Sequence, residues 1–190
     1  MNRYSPENRR ILLDVALNSI RQGYQTRRPL EVDLQSLPAE LQQMGNAFVT
    51  LEVNGNFQGC IGSLRAVAPL AQDVARNAFS AAYNDRRGRI LTPADFGALH
   101  VHISVLSVPE PIQFMSEEDL VAQVRPGIDG LIVQENGASG TLLPSVWEKF
   151  PDAQGFVNYV KMKAGLPGSY WSSSIRWLRY TTESFSNHDQ

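Results

Sequence analysis

Apolar positions along the chain fall into two alternating rhythms. Ile11, Leu12, Val15, Leu17 and Ile20 recur at helical spacing. They follow Ser5-Pro6-Glu7, which supplies a capping hydroxyl, a proline at the first helical position and an acid in the first turn. Gly23 is placed to end this helix, and a short helical turn is expected around Pro38–Leu41. From Ala47 to Val53 the period changes to two, predicting a strand. Asn54-Gly55 then predicts a two-residue hairpin, because both central residues of the favoured turn need positive φ, and the return strand runs from Asn56 to about Gly62. Pro69 opens a second helix, with Leu70, Val74, Ala78 and Ala82 on one face, and a charged loop follows from Tyr83 to Arg89.

Further along, Thr92-Pro93-Ala94-Asp95 carries a helix start with Asp95 as the capping-box acid. Leu99 to Leu106 alternates as a strand, and Ser116 begins a short helix that ends before Arg125. Gly130–Gln134 and Thr141–Leu143 predict a strand pair around a Gly137–Gly140 turn. Asp152 caps a helix through Phe156, Tyr159 and Val160, closed by Gly165, and a last strand is expected at Ile175–Tyr180. Trp147, Trp171 and Trp177 are expected as core anchors. Helices and hairpins are interspersed without a strand–helix–strand rhythm. The expectation is therefore an α+β protein, mainly antiparallel sheet with flanking helices. It forms one domain over residues 5–185, with a polar tail over 186–190.

Composition narrows the function classes. A chain of 190 residues, 43% hydrophobic and 19% charged, is long enough for a well-buried core. Its net charge of −2 and scattered arginines argue against nucleic acid as a partner, since phosphate affinity needs a concentrated basic face. No apolar run approaches the length of a membrane span, and the N-terminus lacks the pattern of a signal peptide. With one cysteine there is no intramolecular disulfide, which fits a cytoplasmic location. The same count excludes a Cys-rich zinc site or a cluster-binding radical enzyme built from this chain alone. Phosphate-loop, dinucleotide and nucleophile-elbow motifs are missing, so no cofactor is evident.

The strongest candidate for chemistry is Cys60, flanked by Gly59 and Gly62. Two glycines around a thiol in a strand predict a bulge or a close backbone approach. Counting outward from a regular Asn54-Gly55 turn pairs Val49 with Cys60 and puts the thiol in the core. A bulge at Gly59 would turn it to the other face. On that second face Cys60 becomes a candidate nucleophile, with Ser63 as a nearby donor. Asp85 and Arg87 are candidates for positioning an anionic ligand. His100 and His102 share one face of a strand. They can hold a metal if a third ligand comes from elsewhere, serve as a base for Cys60, or form a polar sheet face.

The ordered set of segments resembles the AMMECR domain family. It comprises Phe48-Val49-Thr50-Leu51, Gly59-Cys60-Ile61-Gly62-Ser63-Leu64, Pro69-Leu70, Asp85-x-Arg87 and Ile103-Ser104-Val105-Leu106 with Pro109-Glu110. Gly127-x-Asp129-Gly130-Leu131, Leu142-Leu143-Pro144, Lys163-Ala164-Gly165-Leu166-Pro167 and Trp171 complete it. Gln58 stands where the family has arginine before Gly-Cys-Ile-Gly, and Gly88-Arg89 stands for Phe-Pro. His102 takes a place where an acid is common, and Lys161 one where some members carry a second cysteine. The resemblance implies an α+β fold with a larger and a smaller lobe, and Cys60 near the cleft between them. It also implies two partners, a MEMO-type protein and a radical S-adenosylmethionine enzyme. Two readings remain open: an accessory or binding protein, and a cysteine-dependent enzyme on a small substrate.

Overall fold

A computed structural model describes residues 3–188. The helical rhythm near the N-terminus becomes α1 (Pro6–Thr26), capped by the Ser5 hydroxyl, which accepts from the Asn8 N–H. The helix runs past Gly23 and closes at Arg27, whose backbone is left-handed (φ 58°) and whose N–H donates to the Gly23 carbonyl. Gly23 is kept for packing: a Cβ there would lie 2.5 Å from the Phe79 ring. Then follow α2 (Ala39–Gln42), β1 (Met44–Gly45), β2 (Ala47–Val53), β3 (Asn56–Gly62), β4 (Ala68–Pro69) and α3 (Leu70–Tyr83). After them come β5 (Leu99–Leu106), β6 (Glu110–Pro111), α4 (Glu117–Gln123), β7 (Gly130–Glu135) and β8 (Ala138–Leu142). The chain closes with α5 (Ala153–Lys163), β9 (Arg176–Tyr180) and β10 (Thr182–Ser186).

The pairs β1–β4, β2–β3, β2–β5, β6–β9, β7–β8 and β7–β9 are antiparallel, and the architecture is α+β. The chain divides into two compact units. One comprises the residues up to Leu106 together with those from Glu183 on, and the other is Ser107–Thr182.

In the first unit the main sheet has the order β10-β5-β2-β3, so β3 is an edge. Period-two alternation decides which face is buried. Val49, Leu51, Val101 and Ile103 are fully enclosed with Leu12, Ala16 and Ile20 of α1 and with Val74 and Ala78 of α3. Each large side chain removed from water this way stabilises the unit by roughly 1.5–3 kcal/mol before entropy is subtracted. The intervening positions of β2 and β5, including Phe48, Thr50, Glu52, His100 and His102, therefore face away from the helices. Thr92 and Asp95 form the expected capping box, here on a 3-10 turn. Beyond Ser186, Asn187 is tied to β5: its side chain accepts from the Val101 N–H and donates to the Leu99 carbonyl.

The second unit has the sheet order β6-β9-β7-β8. The β7–β8 turn is Asn136-Gly137, both at positive φ (46° and 85°), one step earlier than the spacing suggests. Gly140 lies inside β8 because α5 packs onto it; a Cβ there would sit 2.4 Å from the Ala164 nitrogen. Trp177 and Trp147 are buried as core anchors, and Trp147 stacks on Phe156 at 3.8 Å.

Candidate functional site around Cys60

The turn at Asn54 and Gly55 adopts positive φ at both residues (52° and 74°), and Val53 pairs with Asn56 as the hairpin requires. Glu52 then pairs with Phe57, but Leu51 pairs with Gly59. Gln58 is the extra residue of a β-bulge. Every later position is shifted by one, so Cys60 faces Thr50, not Val49. The thiol is thereby turned off the core face and is partly exposed.

The bulged edge packs closely against the helix side. Gly59 turns inward beneath the end of α3, where a Cβ would lie 2.1 Å from the Ala81 carbonyl oxygen. Only a glycine permits this approach. The chain leaving α3 then folds back over the edge of β3, with Gly88 against the Gln58 carbonyl. Gly62 is covered by the Phe48 ring.

That returning loop places Asp85 and Arg87 on the backbone of Cys60. Asp85 Oδ2 accepts from the Cys60 N–H at 2.9 Å, and Arg87 Nη2 donates to the Cys60 carbonyl at 2.6 Å. Arg87 also forks onto Asp85 through Nε (2.9 Å) and Nη2 (2.6 Å), and Asp85 Oδ1 accepts the Arg87 N–H at 3.0 Å. The Arg87 side-chain bonds, aided by the Cys60 and Arg87 backbone donors, hold the Asp85 carboxyl well below the usual carboxylate range. An edge strand presents unpaired N–H and C=O groups; at Cys60 both are satisfied by one acid–base pair. Because its own backbone groups point outward, Cys60 opposes Thr50 as a non-hydrogen-bonded pair, the arrangement that brings facing side chains closest. The Thr50 hydroxyl accordingly donates to the Cys60 sulfur at 3.1 Å.

Three of the candidates thus meet at one peptide: Cys60, Asp85 and Arg87. Ser63 is turned away, its hydroxyl donating to the Arg65 carbonyl at 2.8 Å. His102 pairs with Thr50 on the side away from β3. Two strand spacings, about 10 Å, separate the backbones of Cys60 and His102. Thr50 stands between them, and the hydrogen bond to the thiol is its own. His100 pairs with Glu52, whose Oε2 lies 3.8 Å from His100 Nδ1. The rings of His102 and His188 pack on His100 with centroids 4.2 and 4.1 Å away.

Thr50, Glu52 and His188 are participants that reading along the chain did not single out. The alternation that buries Val49 and Leu51 marks Thr50 and Glu52 as outward. Nothing local marks which residues of β5 stand opposite them.

Similarity to known proteins extends over nearly the whole chain. The AMMECR1 family model matches residues 13–185. A protein from Methanothermobacter thermautotrophicus is 35% identical over 188 residues, covering 96% of this chain and 97% of the relative. One from Thermofilum pendens is 32% identical over 197 residues, covering 97% and 92%. Among solved structures, the uncharacterized protein PH0010 from Pyrococcus horikoshii is 30% identical with a TM-score of 0.82, covering 92% of this chain and 89% of that one.

Proposed function

Because the chain belongs to the AMMECR1 family, we propose that it acts as the AMMECR component of an AmmeMemoRadiSam system. In this role it is an accessory, non-catalytic binding protein for a MEMO-type protein and a radical S-adenosylmethionine enzyme in the cytoplasm. The observation that carries the non-catalytic part is the environment of Cys60. A nucleophilic thiol needs a base within hydrogen-bond reach or a cation devoted to it. Here the partner of the sulfur among the described residues is the Thr50 hydroxyl, which is not a base, and the nearby guanidinium is engaged by Asp85 and the Cys60 carbonyl. Such an arrangement holds a strand edge rigidly in one shape, which suits recognition. Phe57 is exposed beside it, with the Arg87 guanidinium 5.4 Å from the ring centroid. Aromatic and arginine side chains of this kind are common interface anchors. No helix among the described residues is long and apolar enough to cross a membrane.

Co-expression of the tagged chain with each companion tests this reading. The expected result is that at least one companion co-purifies and that Phe57→Asp weakens retention. Failure of both companions to associate contradicts it. The alternative, a cysteine-dependent enzyme, draws on one feature: the bulge that turns the thiol to a partly exposed face.

A further inference from the structure

The outward face of the first unit's sheet carries a second constellation, on the two strands next to that of Cys60. His100 and His102 lie two residues apart on β5, so both rings project from the same face. Glu52 on β2 stands directly opposite His100. Directly opposed Cβ atoms are about 4.5–5.5 Å apart, and three side chains long enough to lean together can converge above the strands. One nitrogen from each imidazole and one carboxylate oxygen in fact lie within 4.8 Å of one another.

From this convergence we propose that Glu52, His100 and His102 form a binding site for a divalent transition-metal ion. Two imidazoles and one carboxylate are the donor set used by zinc sites with an open position and by ferrous sites with a facial triad. The imidazoles argue against calcium or magnesium, which take oxygen donors. Ligands about 2.1 Å from a tetrahedral ion lie about 3.4 Å from each other. The donors therefore need to close by on the order of 1 Å, within the reach of side-chain rotation.

Surrounding contacts already restrict the rings. Glu52 Oε2 is 3.8 Å from His100 Nδ1, and the rings of His102 and His188 both pack on His100. All three residues are partly exposed, so the constellation is open to ions from solvent. Cys60 is not part of the set: Thr50 lies between it and His102. The site is independent of the partner reading, since it neither uses the β3 edge nor requires a companion protein.

The full chain, treated with chelator, is titrated with Co2+ alone, followed by its visible d–d absorption, and with Zn2+ alone by calorimetry. The expected result is one saturable equivalent. His102→Ala and Glu52→Gln each weaken binding by at least about tenfold, the lower limit seen when even an outer-shell partner of a ligand is lost. Cys60→Ser binds like the wild type, and no sulfur-to-cobalt charge-transfer band appears. Zn2+ also shifts the ring resonances of His100 and His102 in the wild-type protein, a readout that depends on no variant folding. The proposal is overturned by non-saturable binding, by undiminished binding in His102→Ala, by loss of binding in Cys60→Ser, or by unmoved histidine resonances.

Discussion

Replacing Asp85 with alanine removes the acceptor that holds the edge of β3. The carboxylate takes the Cys60 N–H at 2.9 Å, the Arg87 N–H at 3.0 Å and two guanidinium donors, and its side chain is only 5% exposed. A hydrogen bond to a charged group contributes about 1.5–3 kcal/mol. The enclosed Asp85 makes one to the Cys60 N–H. The Arg87 bond to the Cys60 carbonyl comes from an exposed side chain that water can replace, so it falls at or below the low end of that range. The ion pair with Arg87, 63% exposed, adds at most about 1 kcal/mol. A loss of about 2–4 kcal/mol is therefore expected for Asp85→Ala, and about 1 kcal/mol for Arg87→Ala. Urea unfolding followed by far-ultraviolet circular dichroism reads this directly, because α1 and α3 are the longest helices and both lie in the first unit. With a slope of about 2 kcal/mol per molar urea, the midpoint for Asp85→Ala falls by roughly 1–2 M. Hydrogen exchange at the Cys60 amide accelerates alongside. A cost below about 0.5 kcal/mol, or equal costs for the two variants, refutes the assignment of Asp85 as the residue that fixes the edge.

Other positions give further expectations. Gly59→Ala forces a Cβ to within 2.1 Å of the Ala81 carbonyl and costs about 2–3 kcal/mol. Gly55→Ala, with open space around it and φ at 74°, costs about 1 kcal/mol, and thermal melts that reverse this order contradict the packing. Asp85 and Asp95 are both held below the usual carboxylate range, chiefly by side-chain hydrogen bonds from Arg87 and Arg89. Their contribution is fully present above the unfolded value of about 4 and is lost as pH falls below it. Asp73, raised chiefly by burial, acts in the opposite direction. Urea midpoints measured down to about pH 3 should thus fall less steeply in Asp85→Asn than in the wild type, and equal slopes contradict this. In the second unit, fully buried Lys161 donates to Glu117 at 2.7 Å and to the Tyr170 carbonyl at 3.1 Å. Glu117→Ala strands the ammonium and costs about 3 kcal/mol, while Lys161→Met stays within about 1 kcal/mol of the wild type. Fluorescence follows this because all three tryptophans lie in that unit, and equal losses refute it.

The regular elements were legible wherever a local signal and a buried face coincided. The alternation of Ala47–Val53 and Leu99–Leu106, the Asn54-Gly55 turn and the Thr92–Asp95 box were all readable because each acts within a few residues. Gly23 misled because a tertiary contact with Phe79 sets its identity, not helix termination. The orientation of Cys60 turned on a single inserted residue. The bulge sets Gly59 against the Ala81 carbonyl on α3, a contact far along the chain from Gly59. Asp85 and Arg87 were legible as chemistry but not as the holders of the Cys60 peptide, since pairing between separate segments leaves no local trace. The same limit hid Glu52 beside the histidines, although its outward direction was implied by Leu51 and Val53 facing inward.

The measurement that bears most directly on the role of Cys60 is its alkylation rate with iodoacetamide in the native protein at about pH 7, followed by intact mass. With no base on the sulfur and the Arg87 guanidinium held by Asp85 and the Cys60 carbonyl, the thiol should react no faster than a small free thiol under the same conditions. A rate more than about tenfold above that reference would mean an activated nucleophile, and would contradict the binding reading in favour of a cysteine-dependent enzyme.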